Sequence, residues 1–129
     1  MIVATGIDII EIERMKRVLE RHSAHFLDHV FTACEQAQAP QNPVATPTFY
    51  AGRWAAKEAV AKALGTGIGR QCGWTDIVTS RTEQGAPCVR LEGRAARTAE
   101  KKDIDRIHIS ISHEKQFACA QAIAENTKK

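Results

Sequence analysis

The sequence predicts a single α+β domain that extends over residues 1–129. Two observations concern local structure: residues 2–7 and 107–111 alternate in strand fashion with β-branched side chains, whereas residues 49–64 are rich in alanine. The third observation is the length, because 129 residues are enough for one hydrophobic core but not for two full domains.

The composition is typical of a globular protein. Hydrophobic residues make up 43% of the chain and charged residues 26%, which excludes the disordered and fibrous classes. Apolar runs are short and the first segment is acidic, so we expect neither a membrane span nor a signal peptide. The net charge of +3 suits an anionic partner, but no dense basic stripe predicts nucleic-acid binding.

The cysteines are expected to be reduced thiols in a cytoplasmic protein. They are widely spaced and form no C-x-x-C pair of the kind found in zinc sites or redox dithiols. The ordinary role of such residues is that of small buried hydrophobic side chains. The four are Cys34, Cys72, Cys88 and Cys119.

The N-terminal elements are a strand, a helix, a short helix and a loop. The strand at residues 2–7 gives way to a charged, amphipathic helix at residues 11–25. Thr32 and Glu35 have the spacing of a capping box, which predicts the start of a short helix. That helix ends at the proline-rich residues 40–48, which predict a stiff loop.

The strongest predicted helix covers residues 49–64, and Gly65 follows it at the position of a left-handed C-terminal cap. Residues 116–124 are ambiguous, because their alanines permit a helix while their two-residue period fits a strand paired with its predecessor. The other predicted elements are a hairpin with strands at 74–81 and 87–91, a surface helix at 94–102 and a strand at 107–111.

The most informative local feature is Glu58 and Lys62, which lie about 40° apart on one face of the long helix. They form either a surface ion pair of about 0.2–0.5 kcal/mol or a polar site, since their helical neighbours are apolar or small. Arg53 and Lys57 point about 100° to 180° away from this pair. One chain cannot easily present all four to one anion, which indicates a site between subunits.

Asp8 and His113 are further candidates because each ends a predicted strand. Asp8 is either the N-cap of the following helix or a ligand, and His113 is either structural or a phosphate donor. Two carboxylates, Asp8 and Glu58, together with Lys62 would suit Mg²⁺ holding a phosphate, because Mg²⁺ prefers hard oxygen ligands.

Three sequence blocks resemble the holo-acyl-carrier-protein synthases, the single-domain type of 4'-phosphopantetheinyl transferase. The blocks are GIDIIEIERM at residues 6–15, FYAGRWAAKEAVAKALGTGI at residues 49–68 and ISISHEKQFACA at residues 109–120. The likeness extends over essentially the whole length with the same order and spacing. It is weakest at residues 36–47 and 94–105.

The resemblance implies a fold in which a small antiparallel sheet packs against a long central helix, with active sites between adjacent chains of a homotrimer. It also implies an activity. Such enzymes transfer the 4'-phosphopantetheine arm of coenzyme A, their co-substrate, to a serine of apo acyl carrier protein. Adenosine 3',5'-bisphosphate is released, and fatty acid biosynthesis uses the attached arm.

The same resemblance implies roles for individual residues. Asp8 and Glu58 bind Mg²⁺, and Lys62 contacts the diphosphate of coenzyme A. The proton of the carrier serine passes to Glu58 or to a metal-bound water. Arg53 and His113 of a neighbouring chain bind the 3'-phosphate.

Two further positions complete the implied site. Gly65 lets the backbone approach the nucleotide closely. Ile10 stands where larger, two-lobed relatives have a third acid, so the resemblance implies a site with two carboxylates.

The predicted first helix carries a row of arginines that the resemblance assigns to docking of the acidic carrier protein. Arg14 and Arg21 are the candidates, whereas Arg17 has Glu13 available four residues earlier. Two other functions remain open. A Mg²⁺-dependent nucleotide phosphohydrolase would use the same carboxylates and lysine, and a non-enzymatic module would use only the basic helix.

Overall fold

The computed structural model describes residues 1–128, which form an α+β fold with the element order that the sequence predicts. A 3₁₀ turn at Trp74–Asp76 precedes the hairpin. The remaining elements are β1 (Ile2–Glu11), α1 (Ile12–Val30), α2 (Ala33–Ala37), α3 (Ala45–Ala63), β2 (Ile77–Arg81), β3 (Pro87–Leu91), α4 (Gly93–Lys101), β4 (Arg106–His113) and β5 (Phe117–Glu125).

The main sheet is antiparallel with the strand order β1-β5-β4, and α3 packs across it. The ambiguous last segment is therefore a strand, paired with both neighbours. Its buried side chains alternate along the chain and are small, which keeps the helix close to the sheet. They are Ala118, Ala120, Ala122 and Ala124. The second sheet is the predicted hairpin of β2 and β3.

The helix α3 approaches β1 most closely at Gly6. A Cβ atom built on Gly6 would lie 2.0 Å from the carbonyl oxygen of Ala59 and 2.8 Å from the backbone nitrogen of Ala63. Backbone atoms in a helix cannot move aside as the end of a flexible side chain can. A glycine in a strand interior often marks such a close approach.

We expect Gly6→Ala to reduce the free energy of unfolding by about 1–3 kcal/mol or more, because the added methyl group must separate the strand from the helix. Urea unfolding followed by circular dichroism measures this change. Gly69→Ala is the matched control, since nothing lies within 4 Å of a Cβ at that position. Equal stability of the two variants would contradict the proposed close approach.

The first strand is longer than predicted, and the helix after it begins later. Pairing of β1 with β5 continues to Glu11, which lies opposite Phe117, so Asp8 remains inside the strand. Glu11 occupies the N-cap position of α1, and the N-cap interpretation of Asp8 is therefore wrong. The helix continues past residue 25 to Val30, with non-helical backbone angles at His22.

The long helix α3 starts at Ala45, so the second half of the predicted loop at residues 40–48 is helical. The side chain of Asn42 accepts hydrogen bonds from the backbone N–H groups of Val44 and Ala45 at the helix start. Pro47 lies in the first turn, where its missing N–H donor costs nothing.

Two local predictions are confirmed at the backbone level. The side-chain oxygen of Thr32 accepts from the Glu35 N–H while Glu35 Oε1 accepts from the Thr32 N–H, which completes the capping box before α2. Gly65 follows α3 with a φ of +82°, as a left-handed cap requires. Among the helices of residues 1–128, none has the length and apolar character needed to span a membrane.

Candidate active site

The inward face of β1 brings Asp8 to the long helix. Gly6 and Ile10 are buried on this face, while Ile7 and Ile9 on the opposite face are 65% and 64% exposed. Asp8 is two residues from both Gly6 and Ile10, so its side chain lies on the same face of the strand. It therefore faces α3, which carries Glu58 and Lys62. Two distant parts of the sequence thus supply one group of charged side chains, as predicted.

Lys62 is joined to Asp8 rather than to Glu58. Its Nζ lies 3.2 Å from Asp8 Oδ1 and donates to the carbonyl oxygen of Ile7 at 2.8 Å. The Lys62 side chain is 50% exposed and that of Asp8 is 14% exposed, so the ammonium reaches solvent above a mostly buried carboxylate. Lys62 thus pairs with Asp8 instead of forming the surface ion pair with Glu58 that the helical spacing predicts.

Asp8 is close enough to Glu58 to affect the pKa of that carboxyl. Burial raises the pKa of Glu58, the negative charge of Asp8 raises it further, and Lys62 partly opposes both effects. Asp8 Oδ2 is buried without a hydrogen-bond partner in the described part of the chain. A buried carboxylate oxygen without a donor is costly, and a bound cation would satisfy it.

The two carboxylates fit a divalent cation that prefers oxygen ligands, such as Mg²⁺. Such a cation would bind Asp8 Oδ2 and relieve the repulsion from Glu58. Within residues 1–128, no group of three His, Cys, Asp or Glu side chains could hold a metal. Ile10, which is 6% exposed, belongs to the core instead. The geometry therefore offers two carboxylates and leaves the other coordination positions to water or a ligand.

A second polar region lies on a different side of α3, in a cleft of about 620 Å³. It is bordered by the N-terminal half of α3, the loop before it, the end of the hairpin and the end of β4. Arg53 and His113 both line this cleft, whereas Asp8, Glu58 and Lys62 lie outside it. Arg53 is about 140° from Glu58 around the helix axis, which explains the separation.

The guanidinium of Arg53 is held in place on several sides. It donates to Thr79 Oγ1 and to Gln38 Oε1, each at 3.0 Å, and lies 4.6 Å from the centre of the Phe49 ring. Burial and the nearby cation Arg81 lower its pKa, while the charge of Glu35 opposes them. Arg53 is 3% exposed, so its remaining donors can reach only a ligand inside the cleft.

Arg81 is a cleft residue that the sequence analysis missed. It lies at the end of β2, is exposed, and lines the same cleft as Arg53. Twenty-eight positions separate the two arginines, so no helical or strand period connects them. Only the hairpin register, in which Arg81 pairs with Pro87, brings this side chain to the cleft.

Lys57 does not serve an anionic ligand, which corrects one option of the sequence analysis. Its Nζ is buried and donates to Glu35 Oε1 at 2.7 Å, to the Val30 carbonyl at 2.8 Å and to the Trp74 carbonyl at 3.0 Å. An ammonium group has three N–H donors, and these bonds use all of them. Lys57 is therefore part of the core.

Gly65, Arg14 and Arg21 do not line the cleft. Gly65 ends the helix turn that follows Lys62, and a Cβ there would lie 2.8 Å from Lys102 Nζ. Lys102 itself donates to the carbonyl oxygen of Leu64. Arg14 and Arg21 are exposed on α1, together with Arg17.

The cysteines are free, but their burial differs from the prediction. Cys72 is buried, Cys88 and Cys119 are partly buried, and Cys34 is exposed. Burial and the charge of Asp76 raise the pKa of Cys72 to about 11, so this thiol is neutral near pH 7.

Known proteins resemble this chain over nearly its whole length. Residues 4–122 match the model of the 4'-phosphopantetheinyl transferase superfamily. A holo-[acyl-carrier-protein] synthase of Geobacillus kaustophilus is 44% identical over 126 residues, which are 97% of this chain and 90% of that protein.

Solved structures agree with the sequence match. The crystal structure of the holo-[acyl-carrier-protein] synthase from Neisseria meningitidis has a TM-score of 0.88 and 30% identity, covering 97% of this chain and 99% of that one. The Helicobacter pylori synthase in complex with coenzyme A has a TM-score of 0.83 and 30% identity, with coverages of 94% and 99%. The chain belongs to the 4'-phosphopantetheinyl transferase superfamily, among the holo-acyl-carrier-protein synthases.

Proposed function

We propose that this protein transfers the 4'-phosphopantetheine arm of coenzyme A to a serine of apo acyl carrier protein and releases adenosine 3',5'-bisphosphate. The observation that carries the proposal is the Asp8–Glu58–Lys62 group, in a chain similar to holo-acyl-carrier-protein synthases over nearly its full length. Two carboxylates beside a lysine suit the positioning of a diphosphate and the neutralisation of its charge.

Asp8 and Glu58 would hold Mg²⁺, which when bound supplies positive charge beside the diphosphate oxygens. Lys62 would contact the diphosphate, since its side chain is half exposed above Asp8. There its ammonium group stabilises the charge on the departing bisphosphate. Burial and the charge of Asp8 raise the pKa of Glu58, which favours this carboxylate as a proton acceptor for the carrier serine.

Arg53 and His113 would bind the 3'-phosphate of the coenzyme A that reacts at a neighbouring chain's carboxylates. The cleft and the carboxylate pair face different sides of α3, so a site built from both requires two copies of the chain. A homotrimer closes such head-to-tail contacts into a ring. Gly65 would allow the nucleotide to approach the backbone after α3.

The protein is further proposed to act as a single domain over residues 1–129, in the cytoplasm. Its product is the carrier form that fatty acid biosynthesis uses. The exposed Arg14 and Arg21 on α1 are the proposed docking site for the acidic carrier.

We expect Arg14→Glu to raise the KM for apo carrier protein about tenfold with little change in kcat, since reversing a rim charge mainly slows electrostatically steered association. Steady-state kinetics at low and high salt measure the effect, which salt should diminish. Arg97→Glu makes the same charge change on the exposed face of α4. An unchanged KM in Arg14→Glu would exclude this docking surface.

The activity is tested by intact-mass spectrometry of apo acyl carrier protein incubated with coenzyme A and this protein, with Mg²⁺ or with EDTA. A gain of one phosphopantetheine arm that requires Mg²⁺ supports the proposal. Cleavage of coenzyme A without carrier modification would favour the nucleotide phosphohydrolase. Absence of both reactions, with salt-sensitive retention of an anionic polymer, would favour the non-enzymatic basic module.

A further inference from the structure

A buried chain of hydrogen bonds connects the interior of the protein to the arginine in the cleft. Lys57 Nζ donates to Glu35 Oε1 at 2.7 Å, and Glu35 Oε2 accepts from the Thr79 hydroxyl at 2.5 Å and from the Thr79 backbone N–H at 2.8 Å. Thr79 Oγ1 then accepts from Arg53 Nη1 at 3.0 Å. All four side chains are less than 4% exposed.

The direction of each bond in this chain is fixed by chemistry. A carboxylate only accepts and a guanidinium only donates, so the Thr79 hydroxyl must give its hydrogen to Glu35 and its lone pair to Arg53. The hydroxyl thus bonds directly to both the carboxylate and the guanidinium. Serine could replace it, whereas valine has nearly the same shape but could make neither bond.

The charges of these hydrogen-bonded side chains do not balance without a ligand. Lys57 and Arg53 are two buried cations, and Glu35 is one carboxylate between them. Arg81 adds another cation at the cleft, where it lowers the pKa of Arg53. An anion in the cleft would supply the missing negative charge, and a phosphate monoester matches the planar donor array of an arginine.

We propose that Thr79 and Glu35 are positioning residues that hold the Arg53 guanidinium in the cleft for the 3'-phosphate of coenzyme A. This inference rests on the proposed function. Neither side chain touches the substrate. Both act through Arg53, by fixing the Nη1 side of a guanidinium whose Nη2 donates to Gln38.

The experiment compares coenzyme A with 3'-dephospho-coenzyme A as donors for the full-length protein and apo carrier protein. The measured quantity is the ratio of kcat/KM for the two donors, which is independent of the fraction of folded enzyme. In Thr79→Val we expect this ratio to fall about tenfold, because one bond that orients a charged group is lost. Thr79→Ser keeps the hydroxyl and should retain the ratio.

Other variants separate positioning from general damage. Arg53→Ala should lower the ratio at least as much as Thr79→Val, and adding Thr79→Val to Arg53→Ala should change it no further. If the valine protein does not fold, Thr79→Ala removes the same hydroxyl without placing a methyl group against the Glu35 carboxylate.

The outcomes distinguish the two proposals. If Thr79→Val leaves the ratio of kcat/KM for the two donors unchanged, whether or not both values fall, the positioning role alone is overturned. An unchanged ratio in Arg53→Ala shows that the phosphate does not bind there, which overturns the inference while arm transfer stands. A folded wild-type protein that transfers the arm from neither donor overturns the proposed function and the inference with it.

Discussion

Asp8→Asn is expected to lower kcat for arm transfer by about a hundredfold or more, the usual cost of removing a preorganised electrostatic group. The substitution preserves the shape of the side chain but removes the charge that would bind Mg²⁺. It also leaves Lys62 without its carboxylate partner. Quantitative mass spectrometry of the carrier protein measures the rate at several Mg²⁺ concentrations, and excess Mg²⁺ should recover only part of it.

Asp105→Asn is the matched control because Asp105 is exposed and its carboxylate accepts from the N–H and hydroxyl of Thr127, near the end of the chain rather than at the candidate site. Its rate should equal that of the unchanged protein. The folded state of Asp8→Asn should survive, since the substitution removes one of two carboxylates that repel each other. A folded Asp8→Asn protein with more than half of the original kcat would exclude Asp8 as a ligand.

Lys57→Met should reduce the free energy of unfolding by about 3–5 kcal/mol, because it leaves the Glu35 carboxylate buried without its cation. Both side chains are completely buried, and the ammonium also satisfies two backbone carbonyls. Urea unfolding at neutral pH measures the loss. The double variant Lys57→Met/Glu35→Leu should recover part of it, since neither member of the ion pair is then buried without the other.

The control for this pair is the surface ion pair of Arg90 and Glu92, whose side chains are 65% and 51% exposed. Arg90→Met should cost less than about 1 kcal/mol, since water screens exposed pairs. If Lys57→Met cost no more than Arg90→Met, the buried pair would contribute little to stability.

The fold could be predicted largely from local patterns. The capping box of Thr32 and Glu35 and the left-handed Gly65 depend on short sequence signals, and the structure contains both. The start of α3 could not be predicted, because prolines usually indicate a loop, whereas here the Asn42 side chain accepts from N–H groups at the helix start.

The candidate site could also be predicted only in part. Asp8, Glu58 and Lys62 lie in motifs that carry a recognisable spacing, and β1 and α3 bring them together. The second role of Glu35 has no sequence signature, since its partners Lys57 and Thr79 are 22 and 44 residues away. A glutamate that completes a capping box gives no sign that the same oxygen, Oε1, also accepts from a buried lysine.

The burial of α3 limits how this protein can change over evolution or in the laboratory. The helix supplies much of the core and also carries Glu58 and Lys62, so most substitutions along it alter stability and chemistry together. The opposite wall of the cleft is formed in part by the loop at residues 40–44, outside the buried cluster. Libraries that seek acceptance of altered nucleotides should therefore vary that loop at positions other than Asn42, whose side chain accepts from the N–H groups at the start of α3, and leave the helix unchanged.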